Sequence, residues 1–169
     1  DMVFAEEDRT SPSVLIRNIP DDHLTPEMLA QVNSLDSHDI ILAKAFQASG
    51  RVVTGFTLSQ SSAATRHAPT LSRPIMMKNI NARDDFKLLM TAGVTTNILP
   101  LEQAAAGNGS FGVFPESDGV IRQVPLFFAL PDTVQDSQAP FYPSLAIESL
   151  RVAQNAKSSH RIRALKESE

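Results

Sequence analysis

The sequence predicts a single α/β domain with a mixed β-sheet flanked by helices and an Asp-Gly β-hairpin near its C-terminal third. Three observations predict it. Short apolar runs rich in β-branched residues, such as Val52-Val53-Thr54-Gly55-Phe56-Thr57, alternate with longer segments of helical period. Helix punctuation brackets those longer segments, with Thr25-Pro26-Glu27 before one, Gly50 after the next and Pro143 opening the last. Pro115-Glu116-Ser117-Asp118-Gly119 separates two apolar runs and carries the Asp-Gly pair that supplies a positive φ in a tight turn.

Taken in order, Met2–Ala5 reads as a buried strand that ends in the polar run Glu6 to Pro12, and Val14–Ile19 reads as a second strand closed by Pro20. Thr25 caps a helix that begins at Pro26, has Glu27 near its positive end, and would bury Met28, Leu29, Val32 and Leu35. Asp36 or Ser37 caps another, Ser37–Ala48, with Ile40, Ile41, Ala43, Lys44 and Ala45 along one stripe and Gly50 as its stop. The strand Val52–Thr57 follows, and strand–helix–strand order predicts a parallel pair joined by a right-handed crossover. Leu58–Pro74, rich in Ser, Thr and Ala with two prolines, reads as an exposed excursion. Ile75–Ile80 is a short strand, and Asn81 caps a helix running through Asp84, Phe86, Leu88, Leu89 and Met90 to Gly93. Val94–Leu99 is a strand and Leu101–Ala106 a short helix stopped by Gly107. Ser110–Phe114 and Val120–Ala129 make the hairpin, Pro131–Pro140 is a loop, and Pro143–Asn155 is the last helix.

With 42% hydrophobic and 20% charged residues in 169, the chain is long and apolar enough to fold around one core. A net charge of −4, one Tyr and no Trp disfavour a nucleic-acid surface. The basic stretch Arg151–Lys166 reads as a solvated helix end. The absence of cysteine excludes a thiol nucleophile, Cys-ligated zinc or iron–sulfur, and any disulfide, and suits an oxidising compartment. No apolar run is long enough to span a bilayer.

Two strings imitate functional motifs. Gly107-Asn108-Gly109-Ser110-Phe111-Gly112 satisfies G-x-G-x-x-G, but a dinucleotide site needs a strand before the glycines and a helix after them. The order here is reversed, so no dinucleotide cofactor is expected. Asn108 to Gly112 also approaches a nucleophile elbow, again in inverted context. The histidines, His23, His38, His67 and His160, form no His-x-x-x-His pair, and no metal is expected.

The remaining candidates are polar. Glu6, Glu7 and Asp8 end the first predicted strand and, with Arg9, form either a polar cleft or a structural turn cluster. Arg122 lies near an apolar run and needs a partner, so it pairs with Asp118 or Glu116 or binds an anion. Tyr142 and Ser144 begin the last helix, where amides and hydroxyls initiate the helix or hold an anion. An enzyme reading would use Glu6, Asp8, Arg9 or His23 as acid, base or clamp. A third reading makes the domain a structural or homodimerisation module.

Read together, Asp1, Phe4, Glu6, Asp8, Ser11, Val52-Val53, Ala104-Ala105-Ala106, Gly109, Asp118-Gly119-Val120, Arg122, Pro125-Leu126 and Tyr142-Pro143-Ser144-Leu145-Ala146-Ile147-Glu148 follow one another in an order that resembles the CHASE2 family. The resemblance spans nearly the whole chain and is specific as a set. It implies a bacterial extracytoplasmic sensor, tethered by transmembrane helices to a cyclase, histidine kinase or diguanylate cyclase output. It implies no catalysis in the domain and no cofactor, and it names neither the small-molecule or environmental signal nor the oligomeric state. It also implies that residues 1–169 are the central part of a longer ectodomain at the outer face of the inner membrane. Glu6, Asp8, Arg9, Asp118, Arg122, Tyr142 and Ser144 are then candidate signal-binding residues.

Overall fold

A computed structural model describes residues 3–20, 23–59, 61–64, 67–70, 75–78, 89–129, 141–156 and 160–163, with backbone alone at 64, 75–78, 89–90 and 160–163. The described elements are α1 (Pro12–Leu15), α2 (Pro26–Asn33), α3 (His38–Ser49), β1 (Val53–Ser59), β2 (Ile75–Lys78), β3 (Leu89–Met90), β4 (Gly93–Thr95), α4 (Leu99–Ala104), β5 (Gly107–Ser110), β6 (Phe127–Ala129), β7 (Tyr142–Pro143), α5 (Leu145–Ala153) and β8 (His160–Arg163). The α/β class and the mixed sheet are as the sequence predicts.

β1 organises the sheet. Its first half pairs in parallel with β5, Val53 opposite Gly107 to Phe56 opposite Ser110, and its second half pairs antiparallel with β4. β3, β6 and β7 form a second mixed trio, and a parallel bridge between Ser110 and Ser144 joins the two trios. β2 and β8 make a separate parallel pair. On one face, Phe56, Val94 and Tyr142 form the buried cluster, with Leu58 packed against it and the Phe56 and Tyr142 rings edge to face at 6.3 Å.

The other face is built on missing side chains. Residues 107 and 109 point the same way, as alternation in a strand requires, and α5 lies directly upon them. A Cβ on Gly109 would stand 2.6 Å from the Leu145 Cα, and one on Gly107 would stand 2.4 Å from Glu148 Oε1. The glycines of the false dinucleotide string are therefore a floor for α5. The helix itself starts where Ser144 accepts a hydrogen bond from the Ile147 amide. Its Glu148 takes a two-pronged ion pair from Arg151, whose guanidinium also donates to the Ala106 carbonyl. Only 3% and 9% of these two side chains is exposed, so the pair ties α5 to the entry of β5 where water competes little.

The local helix signals held. The Thr25 and Ser37 hydroxyls accept from the amides of Met28 and Ile40, and Gly50 ends α3 in the left-handed conformation at φ 61°. Burial of their apolar stripes did not hold uniformly. Met28, Leu29, Leu35 and Ile41 are exposed, because α2 rests on α1 rather than on the sheet and only Ala43 of α3 is buried.

Several strand readings are corrected. Val14–Ile19 is helical: Pro12 opens α1, the amides of Val14 and Leu15 bond the Ser11 carbonyl, and a 3-10 turn covers Ile16–Asn18. Residues 3–5 are extended but join no ladder. Phe4 bonds Asn97 and Ile98 instead, so the parallel partner of β1 is β5. The helix expected from Asn81 lies outside the described residues as far as 88, and Leu89–Met90 is strand, paired with β6. The strand Val94–Leu99 stops early, because Pro100 starts α4 rather than ending a strand. The basic C-terminal stretch begins in the last turn of α5, where Arg151 is held inside the fold rather than solvated, and it goes on to contribute β8. The loop Pro131–Pro140 lies outside the described residues.

The hairpin is a turn without a ladder. Gly119 donates to the Glu116 carbonyl and Glu116 to that of Val120, with Gly119 at φ 80°. Beyond that, β5 pairs with β1 and β6 with β3 and β7, so the flanking segments belong to different trios.

Gly109→Ala forces α5 off the sheet, because the obstacle is backbone. It is expected to destabilise the domain by about 1–3 kcal/mol or more in urea denaturation. Gly112→Ala should cost less, since its Cβ meets the movable Leu58 side chain at 2.8 Å.

Candidate functional site

The polar run after the extended N-terminal segment docks on the start of α3. Asp8 accepts from the Ser11 hydroxyl at 2.9 Å, from the Thr10 amide and hydroxyl, and pairs with His38 Nδ1 at 2.9 Å. Its own amide donates to the Asp39 carboxylate, and the buried Ser11 hydroxyl accepts from the His38 amide. The Ser11 hydrogen bond is the main cause holding the Asp8 carboxyl below its ordinary range, helped by Thr10 and His38. Arg9 pairs with Glu6 at 2.7 Å on the surface.

Asp118 and Arg122 complete the Asp-Gly turn. Asp118 accepts from the Val120 amide and from both guanidinium ends, and Glu116 accepts from Arg122 as well. The guanidinium lowers the Asp118 carboxyl, and the two carboxylates raise Arg122. The partner that Arg122 needs is thus inside its own turn. Tyr142 sits in the apolar cluster, where burial raises its phenol, and Ser144 caps α5 while buried against Ser110. Three different elements hold these three groups.

The structure gathers a fourth group that the sequence reading passed over. Glu102 on α4 is fully buried, yet its Oε2 accepts from the Thr70 amide at 3.0 Å and lies 3.8 Å from His67 Nδ1. Among the described residues its Oε1 has no hydrogen-bond partner. Burial pushes this carboxyl up, against hydrogen bonds from Thr70, the His67 charge and the Asn97 backbone. Asn108 of β5 donates to the carbonyls of Thr70 and Glu102 and accepts from the Thr54 hydroxyl. Asn97 accepts from the Phe4 amide and donates to the Gly55 carbonyl. The His67 ring lies 3.0 Å from the Ala68 carbonyl through Nδ1, and through Nε2 it lies 3.1 Å from both the Asn97 carbonyl and the Thr96 hydroxyl. The excursion predicted as merely exposed is therefore anchored at 67–70, with Pro69 buried.

Two clefts flank Glu7. One of about 480 Å³ is lined by Ala5, Glu6, His67, Thr96 and Leu99 among others, and one of about 240 Å³ by Asp8, Ser11, Ser37 and Asp39 among others. Of the residues named for an enzyme, Asp8 is engaged by His38 rather than by His23, and Glu6 by Arg9.

The model of the CHASE2 domain matches residues 1–167. The chain belongs to the CHASE2 domain family. No curated protein and no solved structure matches it. CHASE2 is a family of extracytoplasmic sensory domains of signalling proteins, and the domain is not a catalytic one. No helix among the described residues is long and apolar enough to cross a membrane. The structure explains why this CHASE2 domain carries the residues of the resemblance. Gly109 admits α5, Ser144 caps it, Glu148 holds Arg151, and Asp118, Gly119 and Arg122 form one turn. These are scaffold roles. Asn97 and Glu102 carry no signal in the sequence because their side-chain partners are distant in it, and His67 stands there only as one of four histidines with no metal-ligand spacing. The signal that was available was Asn108, a polar residue between two glycines in a strand.

The Asp8 carboxyl titrates lower in the folded chain than in the unfolded one. The stability it contributes is therefore present above about pH 4, the ordinary carboxylate value, and is lost as pH falls through the lowered one. Asp8→Asn is expected to melt earlier than the parent at neutral pH, with the gap closing in acid. Thermal denaturation between about pH 2 and 7 checks this.

Proposed function

We propose that this CHASE2 domain is the input module of a bacterial transmembrane receptor, held at the outer face of the inner membrane and coupled to a cyclase, histidine kinase or diguanylate cyclase. The observation that carries the reading is the family match over residues 1–167. The absence of cysteine agrees with an oxidising compartment. The module takes up a small molecule or an environmental signal and answers with a shift in helix positions or in the packing of a homodimer, which the membrane segments relay.

Within this reading the two clefts beside Glu7 are where a signal meets the domain. They lie between the extended N-terminal segment, α3 and the start of α4, so an occupant would press on elements that are not part of the sheet. Glu6, Asp8 and Arg9 stand at that surface. Asp118 and Arg122, exposed in the Asp-Gly turn, form a second polar surface, and Tyr142 and Ser144 act from within as supports for α5.

Accessibility in the intact receptor tests the placement. Ser117 is exposed at the tip of the Asp-Gly turn, and the domain has no cysteine of its own. A Ser117→Cys receptor, otherwise free of reactive cysteine, should react with a membrane-impermeant maleimide in spheroplasts. Labelling that appears only after lysis would overturn an extracytoplasmic input module.

A further inference from the structure

The family and the motif leave the signal open; the buried group around Glu102 supplies one. We infer that the carboxyl of Glu102 is a proton-sensing group, and that His67 carries its protonation state to the wall of the 480 Å³ cleft. This rests on the sensor reading above and names its signal as external pH.

The geometry is unusual for a structural carboxylate. Glu102 is sealed from solvent, one oxygen is used by the Thr70 amide, and the other has no partner among the described residues. A buried carboxylate left half satisfied favours its neutral form. The ionisable group facing it from the 67–70 segment is His67, at 3.8 Å. From α3, which packs on α4, Lys44 is paired with Asp36, and His38 and Asp39 are tied to Asp8. From the N-terminal segment, Glu6 and Glu7 line the cleft, Glu6 paired with Arg9. Asn108 of β5 brings no charge. His67 is thus the counter-charge at hand for an ionised Glu102.

His67 is also placed to respond. Each ring nitrogen faces a backbone carbonyl, Nδ1 that of Ala68 and Nε2 that of Asn97. The imidazolium donates to both, and an ionised Glu102 3.8 Å away attracts it and holds the 67–70 segment down. When the carboxylate takes a proton from the medium and becomes the neutral acid, the ring keeps its own protons but loses that attraction, and it moves in the cleft wall it forms. Burial raises the carboxyl above its ordinary range, which brings the transition nearer to neutral pH. In stability terms the sign is the reverse of Asp8. The folded chain binds the Glu102 proton more tightly than the unfolded one, so ionising this group removes stability as pH rises through its folded value.

The test joins a titration of this chain with the output of the full-length receptor. In side-chain NMR from about pH 4 to 8, the carboxyl resonance that Glu102→Gln removes should titrate above the other glutamates, with the His67 ring shifts inflecting at the same pH. A Glu102 midpoint among the exposed glutamates, or His67 shifts indifferent to it, would overturn the proposal. In the receptor, external acid should change output, Glu102→Gln should hold output at its acid level at every pH, and His67→Gln should abolish the response to pH while moving the Glu102 carboxyl midpoint upward in the NMR titration. If Glu102→Gln fails to fold, His67→Gln carries the test alone. Output that ignores external pH, while Ser117→Cys is labelled from outside, would overturn proton sensing and leave the sensor reading standing. Labelling only after lysis would overturn the sensor reading itself.

Discussion

The structure depends on a bare strand face. β5 is four residues, Gly-Asn-Gly-Ser, buried throughout, and it lies between β1 and the Ser144 bridge. With no Cβ at Gly107 or Gly109, the backbone of α5 reaches the backbone of β5, so the helix start, the bridge to β7 and the Glu148–Arg151 pair can form together. A side chain at Gly109 would separate the helix from the sheet by more than a methyl group can be absorbed, because its contact is the Leu145 Cα and not a rotatable end. A motif that reads as phosphate chemistry in a strand-then-helix context serves packing in the reverse one.

The opposite face of β5 and the neighbouring β1 meet a different demand. Backbone groups that no strand neighbour satisfies must be met by side chains. Asn97 does this between the Gly55 carbonyl and the Phe4 amide, and so attaches an N-terminal segment that joins no ladder. Asn108 and Glu102 do it for Thr70, one holding its carbonyl and the other its amide. An amide suits this task without cost in charge. The carboxylate at Glu102 does not, since one of its oxygens has no partner among the described residues. An amide residue there could accept from Thr70 as well, and for that reason the carboxylate calls for an explanation other than stability.

What was legible in the sequence follows the range of the interaction. Thr25, Ser37 and Gly50 mark helix ends through contacts within four residues, and each did so correctly. The Asp118–Arg122 pair was likewise readable, its members four residues apart. Val14 and Ile16 misled because β-branched propensity was outweighed by Pro12 and the Ser11 carbonyl. The hairpin ladder misled for another reason: a turn fixes where the chain reverses, but partner choice for Phe127–Ala129 was settled by Leu89–Met90 and Tyr142–Pro143. Glu102 and Thr70 are thirty-two residues apart, and Leu-Glu-Gln-Ala-Ala-Ala reads only as a short helix stopped by Gly107. No periodicity shows that such a turn of helix is covered.

The same distinction separates two sets of residues in this CHASE2 domain. Gly109, Asp118, Gly119, Arg122 and Ser144 are turn, cap and close-packing residues, whose partners are local or backbone. His67, Thr70, Glu102 and the 5–7 segment have an environment made by segments over the sheet edge. A buried ionisable group in such a place gives the fold two charge states at nearly the same geometry. A signal then has only to shift the balance between them, by an amount set by its differential affinity for the two. For a proton that difference is the shift in affinity that burial creates at Glu102, and the scaffold around β5 can remain as it is while the edge responds.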